Sequence, residues 1–214
     1  MNHASAFPLV RRLSSFVTPV LLRLPISANQ VTATAMILGL AGAWCLAINA
    51  QIIAALLLIG AYILDNCDGE VARSKNQCSE FGKRFDSFVD WIVHAAFFLA
   101  LGYGVSAQSQ SDIWAWFGYA AAAGSSINYF IGQYLETVDA RSAKDKPPEP
   151  SSQPEGFFQW TVFVFRELSR ADFCFLVLML ALVDGLWFLL PAGAIGAQVY
   201  WALQFLSFAR RFHV

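Results

Sequence analysis

Uncharged apolar runs dominate the pattern of this chain, as in Val31–Ala47 and Phe173–Val183, and runs of that length and purity predict membrane-crossing helices. Six spans are expected, at about 29–47, 52–64, 88–103, 113–135, 173–190 and 193–208. The second and third are too short for a hydrocarbon core of about 30 Å. They reach sufficient length only if the polar segments beside them continue the same helices, which satisfies every peptide group near lipid. Helix two then runs through Asp65 and Asp68 towards Arg73, helix three begins near Ser79, and a loop around Ser74–Cys78 joins them. The expected fold is an all-α integral membrane protein, one membrane-embedded domain over residues 1–214.

Two segments fall outside the spans. In residues 1–26, Leu9, Leu13, Phe16, Val17 and Val20 recur at helical spacing near Arg11, Arg12 and Arg23. That pattern predicts an amphipathic helix lying in the interface. A cleaved signal peptide is the competing reading, but no clean apolar stretch precedes a small-residue cleavage site. Ser27 or Asn29 is placed to cap the first span. Residues 139–170 combine a Pro/Ser linker with an aromatic stretch, Gly156–Arg170, suited to a second interfacial segment.

Composition agrees with a membrane protein: 57% of the 214 residues are hydrophobic and 14% charged. The net charge of −1 conceals an asymmetry, because with six spans all 14 Lys and Arg fall on one side. The positive-inside rule then makes both termini cytoplasmic, as in a bacterial inner membrane. No soluble basic domain exists to bind nucleic acid. Cys45, Cys67, Cys78 and Cys174 lack the paired spacing of a zinc site and are expected as free thiols.

The chemistry lies between Asp65 and Asp90. Asp65-x-x-Asp68-Gly69-x-x-Ala72-Arg73 is followed by Gly82-x-x-x-Asp86-x-x-x-Asp90. Positions three and four apart share a helix face, so each helix presents two carboxylates in one direction. Carboxylates near lipid are costly without compensating positive charge, and four together imply bound cations. All-oxygen ligands select Mg²⁺ or Mn²⁺, and four carboxylates suffice for two ions suited to in-line attack on phosphorus. Gly69, Ala72 and Gly82 remove bulk where a nucleotide or pyrophosphate would approach, and Arg73 offers a planar fork for phosphate oxygens. Helix packing and a membrane anchor are the plainer readings of these small residues and of Arg73.

This signature resembles that of the CDP-alcohol phosphatidyltransferases at every fixed position. Ala28-Asn29-Gln30-Val31-Thr32 also looks like the family's P-N-x-x-T opening of the first span, with Ala in place of Pro. The resemblance implies transfer of a phosphatidyl group from a CDP-linked lipid, CDP-diacylglycerol foremost, to an alcohol, with release of CMP. It implies that Asp65, Asp68, Asp86 and Asp90 hold a pair of divalent ions and that Asp90 also serves as general base. Gly69, Ala72, Arg73 and Gly82 would contact the CDP moiety, with Asn29 and Thr32 as helpers.

His94 lies one turn beyond Asp90 and either orients that carboxylate, meets the acceptor, or is a polar residue packed in the bundle. Lys83, Arg84, Arg166 and Arg170 are candidates for an acceptor phosphate, or simple positive-inside anchors. The acceptor itself is not legible. A small-residue surface formed by Gly118, Ala122, Gly124, Ser125 and Ser126, with the family's habit of pairing, leads to an expected homodimer. Three other activities compete: a CDP-aminoalcohol phosphotransferase acting on a lipid alcohol, a metal-dependent membrane pyrophosphatase or hydrolase, and a cation transporter. A transporter would place its ligands near the bilayer midplane rather than at helix ends.

Overall fold

The computed structural model describes residues 9–142 and 173–211, and the described residues contain helices and no strand. The helices are α1 (Leu9–Arg23), α2 (Ala28–Ala47), α3 (Gln51–Ser74), α4 (Glu80–Ser109), α5 (Ile113–Ser142), α6 (Phe173–Leu182) and α7 (Leu189–Arg211), with a single 3-10 turn at Leu186–Phe188. Three of them, α2, α3 and α4, are long and apolar enough to cross a membrane. Exposed aromatic residues accompany both ends of the bundle. Trp44, Tyr103 and Trp116 are exposed towards one, and Phe81, Phe88 and Tyr134 towards the other, as expected for interfacial belts.

The polar continuation of the short spans is present. α3 carries Asp65 and Asp68 without a break, and α4 begins at Glu80. Ser79 caps α4 by accepting from the Gly82 N–H at 3.0 Å. Ser27, rather than Asn29, caps α2, in a capping box with Gln30.

Other boundaries differ from expectation. The gap between the expected spans 88–103 and 113–135 is helical to Ser109, because Gly104 and Gly102 lie in close helix crossings that extend the packed part of α4. The fifth span, expected to reach residue 190, stops at Leu182, where Asp184 takes a left-handed conformation (φ 55°) and the Gly185 N–H returns to the Leu180 carbonyl at 2.7 Å. Pro191, left between the fifth and sixth expected spans, sits in the first turn of α7, where its missing N–H has no intrahelical partner to lose. The described part of α6 rises only about 15 Å.

α2 packs on α3 and α4, α4 on α5, α5 on α7, and α3 on both α1 and α6. Small residues set these approaches. A Cβ at Gly104 would stand 2.3 Å from the Leu46 carbonyl oxygen, and one at Gly118 would stand 2.7 Å from that of Phe98. Gly124 faces Ala197 and Gln198 on α7, and Ser126 accepts from the Trp91 indole at 3.0 Å. The small-residue surface expected to pair two copies is therefore an internal contact of one protomer, since close backbone approach within the bundle uses the same residues.

α1 turns its residues Val10, Ser14 and Thr18 onto α3 and leaves Leu9, Leu13, Phe16 and Val20 exposed. The apolar positions read from the sequence, Val17 excepted, thus face outward. Thr18 donates to Glu70 at 2.5 Å and Ser14 to the same carboxylate at 3.4 Å. Lys75 Nζ donates to the carbonyls of Leu24 and Ile26, each at 2.8 Å, and the Gln77 side-chain oxygen accepts from the Ala28 N–H at 2.9 Å. The turn between α3 and α4 is thereby tied to the start of α2. All four cysteines are free.

Candidate metal and phosphate site

Two helix ends build the site. Asp65 and Asp68 lie on one face of α3 and Asp86 on the facing surface of α4, with one carboxylate oxygen from each lying within 4.8 Å of the others. Three hard oxygen donors converging at that spacing fit a single divalent cation after small side-chain rotations. The donor set contains no sulfur or nitrogen, which suits Mg²⁺ or Mn²⁺ over softer metals.

Asp68 is buried and is held by a residue of a third helix: Thr32 Oγ1 of α2 lies 2.5 Å from Asp68 Oδ2 and 3.1 Å from the Ala28 carbonyl. One hydroxyl proton has two acceptors within reach, and the short contact is to the carboxylate. Asp90, one turn beyond Asp86, is exposed and stands outside the three-oxygen cluster. It lines a narrow cavity of about 20 Å³ with Asp65, Tyr62, His94, Ala35, Ala61 and Val93.

His94 contacts the backbone of Asp90, its Nδ1 lying 2.8 Å from the carbonyl oxygen. A carbonyl only accepts, so Nδ1 carries a proton, and Nε2 lies 3.0 Å from the Tyr62 hydroxyl, which hydrogen-bonds to it. Tyr62 was not singled out from the sequence. Its position three residues before Asp65, on the same face of α3, was the available signal.

The small motif residues have protein neighbours here. A Cβ at Gly69 would stand 3.3 Å from a terminal nitrogen of Arg73, whose guanidinium folds back over that glycine. At Gly82 it would stand 3.2 Å from Asn29 Oδ1 and from Ser79 Oγ. Asn29 thus belongs to this corner of the molecule, and Ala72 is half-buried on α3. Lys83 is ion-paired with Glu136 of α5, both exposed, which occupies it in joining α4 to α5. Arg84 is exposed. Arg166 and Arg170 lie outside the described residues.

Glu70, also absent from the sequence reading, separates the roles of neighbouring acids. It points to Ser14 and Thr18 of α1, while Asp68, two residues earlier, points to Thr32 of α2.

Residues 25–187 match the family described as CDP-alcohol phosphatidyltransferase. The chain belongs to that family. A bifunctional IPC transferase and DIPP synthase of Thermococcus kodakarensis is 27% identical over 167 residues, covering 76% of this chain and 38% of that protein. A CDP-diacylglycerol–serine O-phosphatidyltransferase of Helicobacter pylori is 31% identical over 97 residues, covering 42% of this chain and 41% of that protein. The chain therefore spans about two fifths of the length of these curated relatives. Among solved structures, phosphatidylinositol phosphate synthase of Mycobacterium tuberculosis with CDP-DAG bound has the same fold, with a TM-score of 0.59 over 88% of this chain and 91% of that one at 22% identity. Its apo form gives a TM-score of 0.58. Membership of that family, with three helices long and apolar enough to cross a membrane, makes this an integral membrane protein, and its aspartate cluster suits a divalent metal.

Proposed function

We propose that the chain transfers a phosphatidyl group from CDP-diacylglycerol to an alcohol and releases CMP. The observation that carries this reading is the convergence of Asp65, Asp68 and Asp86 from two helix ends, inside the segment that matches the family. The H. pylori relative is named for a CDP-diacylglycerol donor, and the mycobacterial fold neighbour holds CDP-DAG. Both support the choice of donor.

In this reading Asp65, Asp68 and Asp86 bind one divalent ion, Mg²⁺ or Mn²⁺, and Asp90 joins them in binding a second. Such ions neutralise pyrophosphate charge and polarise the phosphoryl oxygens. Thr32 fixes the Asp68 carboxylate, and Asn29, Gly69, Ala72, Arg73 and Gly82 form the surface that meets the CDP moiety, with Arg73 swinging from Gly69 to phosphate oxygens. Asp90 takes the proton of the acceptor hydroxyl as its oxygen attacks the phosphorus bearing diacylglycerol. The bond from that phosphorus to the bridging oxygen breaks, and CMP carries the electron pair away.

The acceptor enters beside Asp90, with His94, Arg84, Arg166 and Arg170 as candidates to meet it. Lys83 is a weaker candidate because Glu136 already neutralises it. Six spans in one domain, with the site and both termini on the cytoplasmic side of a bacterial cell membrane, complete the reading. A homodimer rests on family resemblance alone, since the small residues of α5 pack internally.

The test is CMP release from CDP-diacylglycerol in liposomes against a panel of alcohols: serine, glycerol phosphate, inositol phosphate and lipid alcohols. CMP should appear only when a suitable alcohol is added. Release at the same rate with water alone would make the protein a hydrolase.

A further inference from the structure

A second cavity, of about 270 Å³, opens at the opposite end of the bundle, lined by Gln51, Gln108, Ser109, Trp114, Asp184 and Trp187 together with Val105. Gln51 starts α3, so the cavity lies about 21 Å from Asp65 along that helix. It takes no part in the chemistry above.

Its walls are unbalanced in charge. Asp184 is an exposed carboxylate, and the three turns at this end, residues 48–50, 110–112 and 183–185, hold Asp112 and Asp184 and no basic residue. Gln51 Nε2 donates to Asp184 Oδ1 at 3.0 Å. That bond latches the turn after α6 to the start of α3, but a neutral amide leaves the negative charge uncompensated. Trp114 and Trp187 stand edge to face beside it, centroids 5.6 Å apart at 71°. Indole faces attract cations, and a carboxylate next to them adds a charge-assisted hydrogen bond for an N–H donor.

The rim is apolar. Ile52 and Ile53 follow Gln51, Leu182 and Val183 precede Asp184, and all four side chains are exposed. A ligand seated here with its polar part in the cavity would lay hydrocarbon along that rim, at the level where exposed Trp and Tyr mark the interface.

We propose that this cavity is a binding site for the ammonium headgroup of a membrane phospholipid, its cation held by Asp184 and the Trp114–Trp187 pair and its acyl chains lying against Ile52, Ile53 and Val183. The site is separate from the transfer site, and the proposal stands whichever alcohol is the acceptor.

Native mass spectrometry of the full chain in detergent, titrated with phosphatidylethanolamine, phosphatidylglycerol of the same acyl chains, and free ethanolamine, tests it. Phosphatidylethanolamine should bind about tenfold more tightly than phosphatidylglycerol, the discrimination expected of one ammonium contact of this kind. Asp184→Asn, which keeps an acceptor for Gln51, and Trp187→Leu, which keeps the Gln51–Asp184 bond, should each abolish that preference. Lipid at the transfer site is common to all three proteins and drops out of the comparison. Equal binding of the two phospholipids to the unsubstituted protein, or a preference retained in both variants, overturns the proposal. Free ethanolamine binding as tightly as the phospholipid overturns the lipid assignment.

Discussion

Thr32 Oγ1 stands 2.5 Å from Asp68 Oδ2, so the first long helix holds a carboxylate of the second. Thr32 acts on the site through Asp68. Thr32→Val keeps the shape and removes the hydrogen bond, leaving a buried carboxylate without its fixing partner. The Mg²⁺ concentration for half-maximal activity should rise by roughly 10- to 100-fold, the usual cost of losing a partner that orients a metal ligand. Thr32→Ser should restore it. A metal titration of the three proteins decides the matter, and an unchanged requirement in Thr32→Val would show that Asp68 needs no such support.

Much of this site was legible in the sequence. The spacing of Asp65, Asp68, Asp86 and Asp90 gave each helix two carboxylates on one face, and the structure brings one oxygen from each of the first three within 4.8 Å of the others and leaves Asp90 outside that cluster. Continuation of the short spans through the motif followed from backbone hydrogen bonding near lipid. Contacts between helices were not legible. Periodicity places Gly118 and Gly124 on α5 but does not say whether the partner is another protomer or, as found, α4 and α7. Tyr62 was hidden because a tyrosine within an apolar span reads as packing until its hydroxyl is found on His94. The break after Leu182 turns on one left-handed residue, Asp184, and the Asp184-Gly185 pair is a turn signal that a span drawn to residue 190 runs through.

Asp90 and Asp65 should fail differently. Asp65 belongs to the three-oxygen cluster, whereas Asp90 is exposed beside it. Asp90→Asn should lower turnover by roughly 10²-fold or more with CDP-lipid binding retained, as expected for loss of a general base. Asp65→Asn should weaken nucleotide and metal binding as well. EDTA should abolish activity in the unsubstituted protein, and Mg²⁺ or Mn²⁺ should restore it. Near-normal turnover in Asp90→Asn would remove the base from this position.

Two glycines give opposite stability predictions. A Cβ at Gly104 would lie 2.3 Å from the backbone oxygen of Leu46, and α2 and α4 must separate to admit it. Gly104→Ala should destabilise by about 1–3 kcal/mol or more. At Gly132 a Cβ meets nothing within 4 Å. Gly132→Ala, in a helix with an open side, should stabilise by about 0.4–1 kcal/mol through lower entropy of the unfolded chain. Thermal unfolding in detergent should move the two midpoints in opposite directions, and a common shift would refute the crossing at Gly104.

Sidedness provides the last prediction. Ser74 ends α3 beside the aspartate site and Ser109 ends α4 at the far cavity, and both are exposed. CDP is water-soluble and the acyl chains are not, so the transfer site should open to the cytoplasm and sideways to lipid, admitting a donor that never leaves the membrane. With Lys75 and the other basic residues expected on the motif's side, the positive-inside rule predicts that side to be the cytoplasmic one. In a cysteine-free background, an impermeant thiol reagent applied to sealed inside-out vesicles should label Ser74→Cys and not Ser109→Cys. CMP should be released to the same outer solution that reaches Ser74→Cys. Labelling of Ser109→Cys from the side on which CMP appears would reverse both the topology and the placement of the site.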